Sequence, residues 1–169
     1  MNYINDYMSP LGGMTMASDG RFLTGLWFDG EKYFGESLSG SSEKRSLPVF
    51  DETKRWLDIY FRGEEPDFTP RLSLDTTPFR KRICELMMEI PYGKTVTYAR
   101  LARQIAEERG LKTMSAQAVG GAVGHNPISI IIPCHRVVGT DGSLTGYAGG
   151  IDKKLRLLQL EGISDFISV

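Results

Sequence analysis

The chain has 169 residues, enough for one ample domain or two small ones, and its 41% hydrophobic and 24% charged residues place it in the globular class. No apolar run approaches the roughly 18 residues that span a bilayer, and the opening MNYINDYMSP lacks the basic and apolar regions of a secretory signal, so a cytoplasmic location is expected. The net charge of -1 conceals an asymmetry: residues 1–76 hold 8 Lys+Arg and 13 Asp+Glu (net -5), whereas residues 77–169 hold 12 and 8 (net +4), which makes the second half the better candidate for binding a polyanion.

In chain order, RFLTGLWFDG (residues 21–30) reads as a β-strand ending in the hairpin signal Asp29-Gly30, with EKYFGE as its returning partner. Val49, Trp56, Leu57, Tyr60 and Phe61 share one helical face, and Gly63 stops that helix. The polar, proline-containing stretch 63–77 reads as a linker, which predicts domains at 1–76 and 77–169.

From Thr77 the pattern becomes helical. Thr77 is a candidate N-cap with Pro78 at the first helical position, and Phe79, Ile83, Leu86, Met87 and Ile90 form an apolar stripe. Thr97 can cap a second helix carrying Leu101, Ala102, Ile105 and Ala106, which Gly110 ends. A third helix, SAQAVGGAVG, starts at Thr113 or Ser115 and stops before Asn126-Pro127. Two short helices around a glycine turn in a net-positive region suggest a helix-turn-helix. Gly120 and Gly121 each cost about 1 kcal/mol relative to alanine inside a helix. Either another helix packs tightly against them, or something outside the protein approaches the backbone there.

IIIPCHRVVG (residues 130–139) reads as a buried extended run with a thiol, an imidazole and a guanidinium at its end. In an extended segment Cys134 and His135 point to opposite faces, so a proton relay between them needs a bridging water and a third group to fix the imidazole tautomer. A buried, inert cysteine is the alternative. Zinc is disfavoured, because two cysteines and two histidines without metal-ligand spacing are the whole ligand pool. A papain-like protease needs a histidine well downstream of its cysteine, and a redox thiol usually has a nearby resolving partner; neither pattern occurs.

NPISIIIPCHRVVG followed by LTGYAGGIDKKLRLLQLEG, together with TPFRKRICELMMEIPYGKTVTYARLA, closely resembles the O6-alkylguanine-DNA alkyltransferases, the methylated-DNA–protein-cysteine methyltransferases. The resemblance covers about half the chain and centres on the specific Pro-Cys-His-Arg signature. It implies an α/β N-terminal domain, a small antiparallel sheet plus helix of ribonuclease H-like type. A mainly α C-terminal domain with a winged helix-turn-helix-like motif would follow. The implied activity is single-turnover DNA repair: the O6-alkyl group of a flipped guanine, with O4-alkylthymine as a further candidate, moves irreversibly to Cys134. His135 would deprotonate the thiol, Glu161 would orient the imidazole, and Asn126 would tie the helix-turn-helix to the active-site segment. Tyr98 would crowd the DNA backbone and protonate the departing guanine. Ala116, Gln117, Ala118, Gly120, Lys112 and Thr140 would meet DNA, while Tyr147 and Ala148 would line the base pocket. Gln117 stands where the family carries a base-replacing arginine, which predicts weaker DNA binding. Cys84 stands where a tryptophan is common. The resemblance further implies double-stranded DNA bearing O6-alkylguanine as partner, no cofactor, no metal, no membrane association and a monomer.

Overall fold

The computed structural model describes residues 1–38, 40–144 and 146–164, which group into two compact units. The first comprises residues 1–76 together with Pro127–Ile131, five residues the sequence assigned to the second domain; the second holds Thr77–Asn126 and Ile132 onward.

In the first unit, β1 (Asn2–Ser9), β2 (Gly12–Ser18), β3 (Leu23–Phe28) and β4 (Ser42–Lys44) form a sheet of order β3-β2-β1-β4. The first three strands are antiparallel, but β4 runs parallel to β1, so the sheet is mixed where an antiparallel one was expected. Helix α1 (Pro48–Phe61) buries Val49, Phe50, Thr53, Trp56, Leu57 and Tyr60 on one face, the spacing that the sequence displays.

Two expectations fail here for one physical reason. The segment after Asp29-Gly30 does not return as a strand; it winds through successive turns, with Phe34 N–H donating to Glu31 and Glu36 N–H to Tyr33. A returning strand has no free edge to join. Along β3, Leu23 exchanges backbone hydrogen bonds with Arg71 and Ser73, and Leu26 with Pro127 and Ser129, each between 2.7 and 3.0 Å. Part of the expected linker is therefore bonded into the sheet edge. This covering satisfies the backbone groups on the outer side of β3, a strand that is itself buried almost throughout.

The second unit is built from α2 (Pro78–Met88), β5 (Val96–Thr97), α3 (Tyr98–Arg109), α4 (Ala116–Gly124), a 3-10 turn (Cys134–Arg136), β6 (Val137–Val138) and α5 (Ile151–Leu160). The three caps act as their sequence predicts: Thr77, Thr97 and Ser115 accept through their hydroxyls from the N–H groups of Arg80, Arg100 and Ala118. Gly110, at φ 65, closes α3 in the left-handed conformation and turns the chain toward α4. Helix α4 packs against α2 and α3 through Val119, Ala122 and Val123. Strands β5 and β6 pair in parallel, Val96 with Val137 and Thr97 with Val138. That pairing brings the start of α3 beside the 3-10 turn. Among the described residues, no helix is long and apolar enough to cross a membrane.

Candidate active site

The approach to Cys134 is not the extended run expected from three isoleucines. Ile130 lies at φ 70, and Ile131 N–H donates to Ser129 at 2.8 Å, a three-residue turn that a β-branched residue rarely adopts. A second three-residue turn follows, with Pro133 at φ -82 and ψ 65 and Cys134 N–H donating to Ile132 at 2.8 Å. The Ile132 carbonyl also accepts from the Asn126 side-chain amide at 2.7 Å. Asn126, at the end of α4, thus ties the helix-turn-helix to the segment bearing the thiol. Cys134, His135 and Arg136 then form the 3-10 turn, so the opposite-face argument for the thiol and imidazole does not apply.

Glu161, at the C-terminal end of α5, is the hub. His135 Nε2 lies 2.6 Å from its Oε2, with both side chains fully buried. Arg136 donates from Nε to Oε1 at 2.8 Å and from Nη2 to Oε2 at 3.2 Å, and the Gly93 N–H reaches Oε1 at 3.0 Å. Arg136 is itself fixed by the Ile90 carbonyl at 2.7 Å and lies over the Tyr92 ring.

Burial alone would raise the Glu161 pKa; the His135 hydrogen bond and the Arg136 guanidinium outweigh it and bring the carboxyl down to about 2. Burial dominates at His135 and holds the imidazole below its ordinary pKa, with the Arg136 and Lys154 charges acting the same way. The two partners pull in different directions, because an imidazolium would help keep Glu161 ionised. Complete desolvation of the ring decides for neutral His135, and Arg136 then supplies the charge that keeps Glu161 anionic. An anionic Glu161 accepts the Nε2–H, which leaves Nδ1 as the basic nitrogen.

Cys134 is nine-tenths buried. Cys84, on α2, is buried as well; burial, reinforced by the negative charge of a Cys134 thiolate, pushes its thiol up to about 12, so Cys84 stays protonated and inert. Tyr98 opens α3, half-buried, with its hydroxyl 3.7 Å from where a side chain on Gly146 would begin. Tyr147 is buried and Ala148 half-buried in the same loop. Thus Cys134, His135 and Glu161 gather around one turn, Asn126 braces that turn, and Tyr98 stands over the loop that holds Tyr147 and Ala148.

The remaining sequence candidates lie apart from this cluster. Ala116, Gln117 and Ala118 are exposed on the first turn of α4, and Gly120 is half-buried one turn on. Lys112, exposed before α4, lines with Arg103, Ala99 and Ala116 a cavity of about 400 Å³ between α3 and α4. Thr140 is exposed in the turn after β6. A Cβ added at Gly120 or Gly121 would meet nothing within 4 Å. Tight internal packing therefore does not explain the two glycines. Sequence reasoning gave no site role to Arg136, Gly93 or Lys154. For Lys154 a signal existed, since it occupies the apolar stripe of α5 with Ile151, Leu155 and Leu158.

Two family models cover the chain: the 6-O-methylguanine DNA methyltransferase ribonuclease-like domain over residues 2–76 and the DNA binding domain of the same methyltransferase over residues 78–163. The chain belongs to the 6-O-methylguanine DNA methyltransferase family. Among this family's curated members, the methylated-DNA–protein-cysteine methyltransferase of Haemophilus influenzae is 41% identical over 162 residues, 95% of this chain and 87% of the relative. That of Methanosarcina acetivorans is 39% identical over 95% of this chain and 98% of its own length. Among solved structures, Mycobacterium tuberculosis OGT in complex with DNA superposes with a TM-score of 0.79 at 38% identity, covering 94% of this chain and 92% of that one. The family's two-domain fold is the one described above, and the helix-turn-helix unit is its DNA-binding domain.

Proposed function

We propose that this family member repairs DNA directly, as a methylated-DNA–protein-cysteine S-methyltransferase that acts once per molecule. Its substrate is double-stranded DNA carrying O6-alkylguanine, with O4-alkylthymine as a second candidate, and it works as a monomer. The buried His135–Glu161 contact at 2.6 Å, next in sequence to Cys134, is the observation that supports this best.

In this reading the basic Nδ1 of His135 takes the Cys134 proton through a water, while Nε2–H stays on Glu161. The thiolate attacks the alkyl carbon in line: an S–C bond forms, the C–O6 bond breaks, and its electron pair leaves with the purine. Tyr98 returns a proton to the departing guanine, a poor leaving group as an anion. Tyr147 and Ala148 wall the everted base, whose extrusion costs a few kcal/mol and least for a damaged base. Ala116, Gln117, Ala118 and Gly120 approach the DNA through small side chains, with Lys112 and Thr140 as backbone contacts. The open space over Gly120 and Gly121 supports that close approach.

Intact mass before and after mixing with an O6-methylguanine duplex tests this reading. A gain of one methylene unit, mapped to Cys134 and absent in Cys134→Ala, is expected. Tight lesion binding with no change of mass would overturn transfer and leave a lesion-binding module.

A further inference from the structure

Lys154 breaks the pattern of the helix that carries it. Ile151, Leu155 and Leu158 belong to the apolar cluster with Val138, Leu144 and Ile163, and Lys154 shares their face with a side chain that is 0% exposed. Lysine is almost never buried so completely without dedicated partners. Its Nζ donates to the Val137 carbonyl at 2.6 Å, one residue past the 3-10 turn, and lies 5.7 Å from the centre of the Tyr98 ring. From the turn, Cys134 and His135 both feel its charge; the thiol of Cys84 on α2, held up by burial and by a Cys134 anion, stays neutral. Burial pushes the ammonium down to about 8 against the opposing pull of a Cys134 thiolate.

We propose that Lys154 is a positioning residue of the transfer site: its buried ammonium, anchored on the Val137 carbonyl beneath Tyr98, is a fixed counter-charge that favours the Cys134 thiolate. The link to methyl transfer rests on the function proposed above; the charge coupling itself does not. A methionine or leucine would fill the stripe of α5 without desolvating a charge, so packing gives no reason for a lysine. One positive charge here acts twice in the same direction. It stabilises the anion on sulfur and disfavours an imidazolium at His135, which keeps the base neutral and able to accept the thiol proton. Over the Tyr98 ring, the same cation adds a cation–π contact that steadies the aromatic group.

Thiolate absorbance near 240 nm, titrated against pH, reads this directly, with each protein referenced to its own Cys134→Ser counterpart. The Cys134 midpoint is expected to rise by about one pH unit or more in Lys154→Met, and to return toward the parent value in Lys154→Arg. An unchanged midpoint in a folded Lys154→Met protein overturns the proposal. If that variant does not fold, the reciprocal measurement decides. The Lys154 side chain, followed by carbon-13 NMR in the otherwise native protein, should titrate at lower pH in Cys134→Ser than in the parent, and an identical midpoint overturns the coupling. Neither readout uses DNA, so a protein that failed to accept methyl groups could still pass it.

Discussion

Arg136 does more at the site than its place in a signature suggests. It is the cation that holds Glu161 ionised while His135 stays neutral, and it supplies two of the hydrogen bonds on that carboxylate. In Arg136→Met, both the Glu161 carboxyl and the His135 imidazolium should titrate at higher pH, because a positive neighbour has gone. The acid limb of the methyl-transfer rate should then move upward in pH, and stability in urea should fall by about 3 kcal/mol, since Glu161 loses its buried counter-charge. His135 itself is held below its ordinary pKa. Its contribution to stability is thus complete above the unfolded value near 6.5 and shrinks as pH falls below it. Thermal melting across pH 5–7 should show that slope in the native protein and a flatter one in His135→Gln. Removing the imidazole as His135→Ala should slow transfer at neutral pH, and single-turnover rates should converge with the parent's at high pH, where the thiol ionises unaided.

At the scale of elements, α4 is a helix designed against its own stability. Its glycines have room for a methyl group, so Gly120→Ala and Gly121→Ala should each raise stability by up to about 1 kcal/mol in chemical denaturation. The same changes should weaken duplex binding, a trade that internal packing would not produce. Gln117→Arg, on the exposed first turn, should tighten duplex binding and steepen its salt dependence by about one phosphate contact. The helices were the most legible part of the sequence, because Thr77, Thr97, Ser115 and Gly110 signal locally and each signal is satisfied within four residues. The strands were not. The β1–β2 hairpin turns through Ser-Pro-Leu-Gly without an Asp-Gly or Asn-Gly signal, and the outer neighbours of β3 are residues 71–73 and 127–129, far along the chain, rather than 31–36. Pairing over such separations leaves no local mark.

The whole molecule divides its labour by charge, with an acidic first unit and a second unit that carries the DNA-binding domain and the thiol. The family signature named Cys134, His135 and Glu161, but not how their charges are balanced, because burial and the convergence of Arg136, Gly93 and Lys154 exist only after folding. That balance has a global readout. Lys154 in the folded protein titrates at about 8, well below an exposed lysine near 10.4, so between these values the unfolded chain binds more protons. Stability therefore gains a rising contribution from pH 8 to about 10.4, and the difference in melting temperature between the native protein and Lys154→Met should shift in the native protein's favour across that window.

The paired tight turns around Ile130 and Pro133 carry one more implication, for how this stretch tolerates editing. Between Ser129 and Cys134 one turn closes from Ile131 N–H to Ser129 and the next from Cys134 N–H to Ile132, whose carbonyl Asn126 also grips. Lengthening this stretch by a single alanine after Ile132 would break the turn that closes on Cys134 and rotate the sulfur away from His135, whereas the same insertion in the polar turns at 35–38 would be absorbed. Spliced variants of the two kinds should both fold, and only the second should still capture a methyl group.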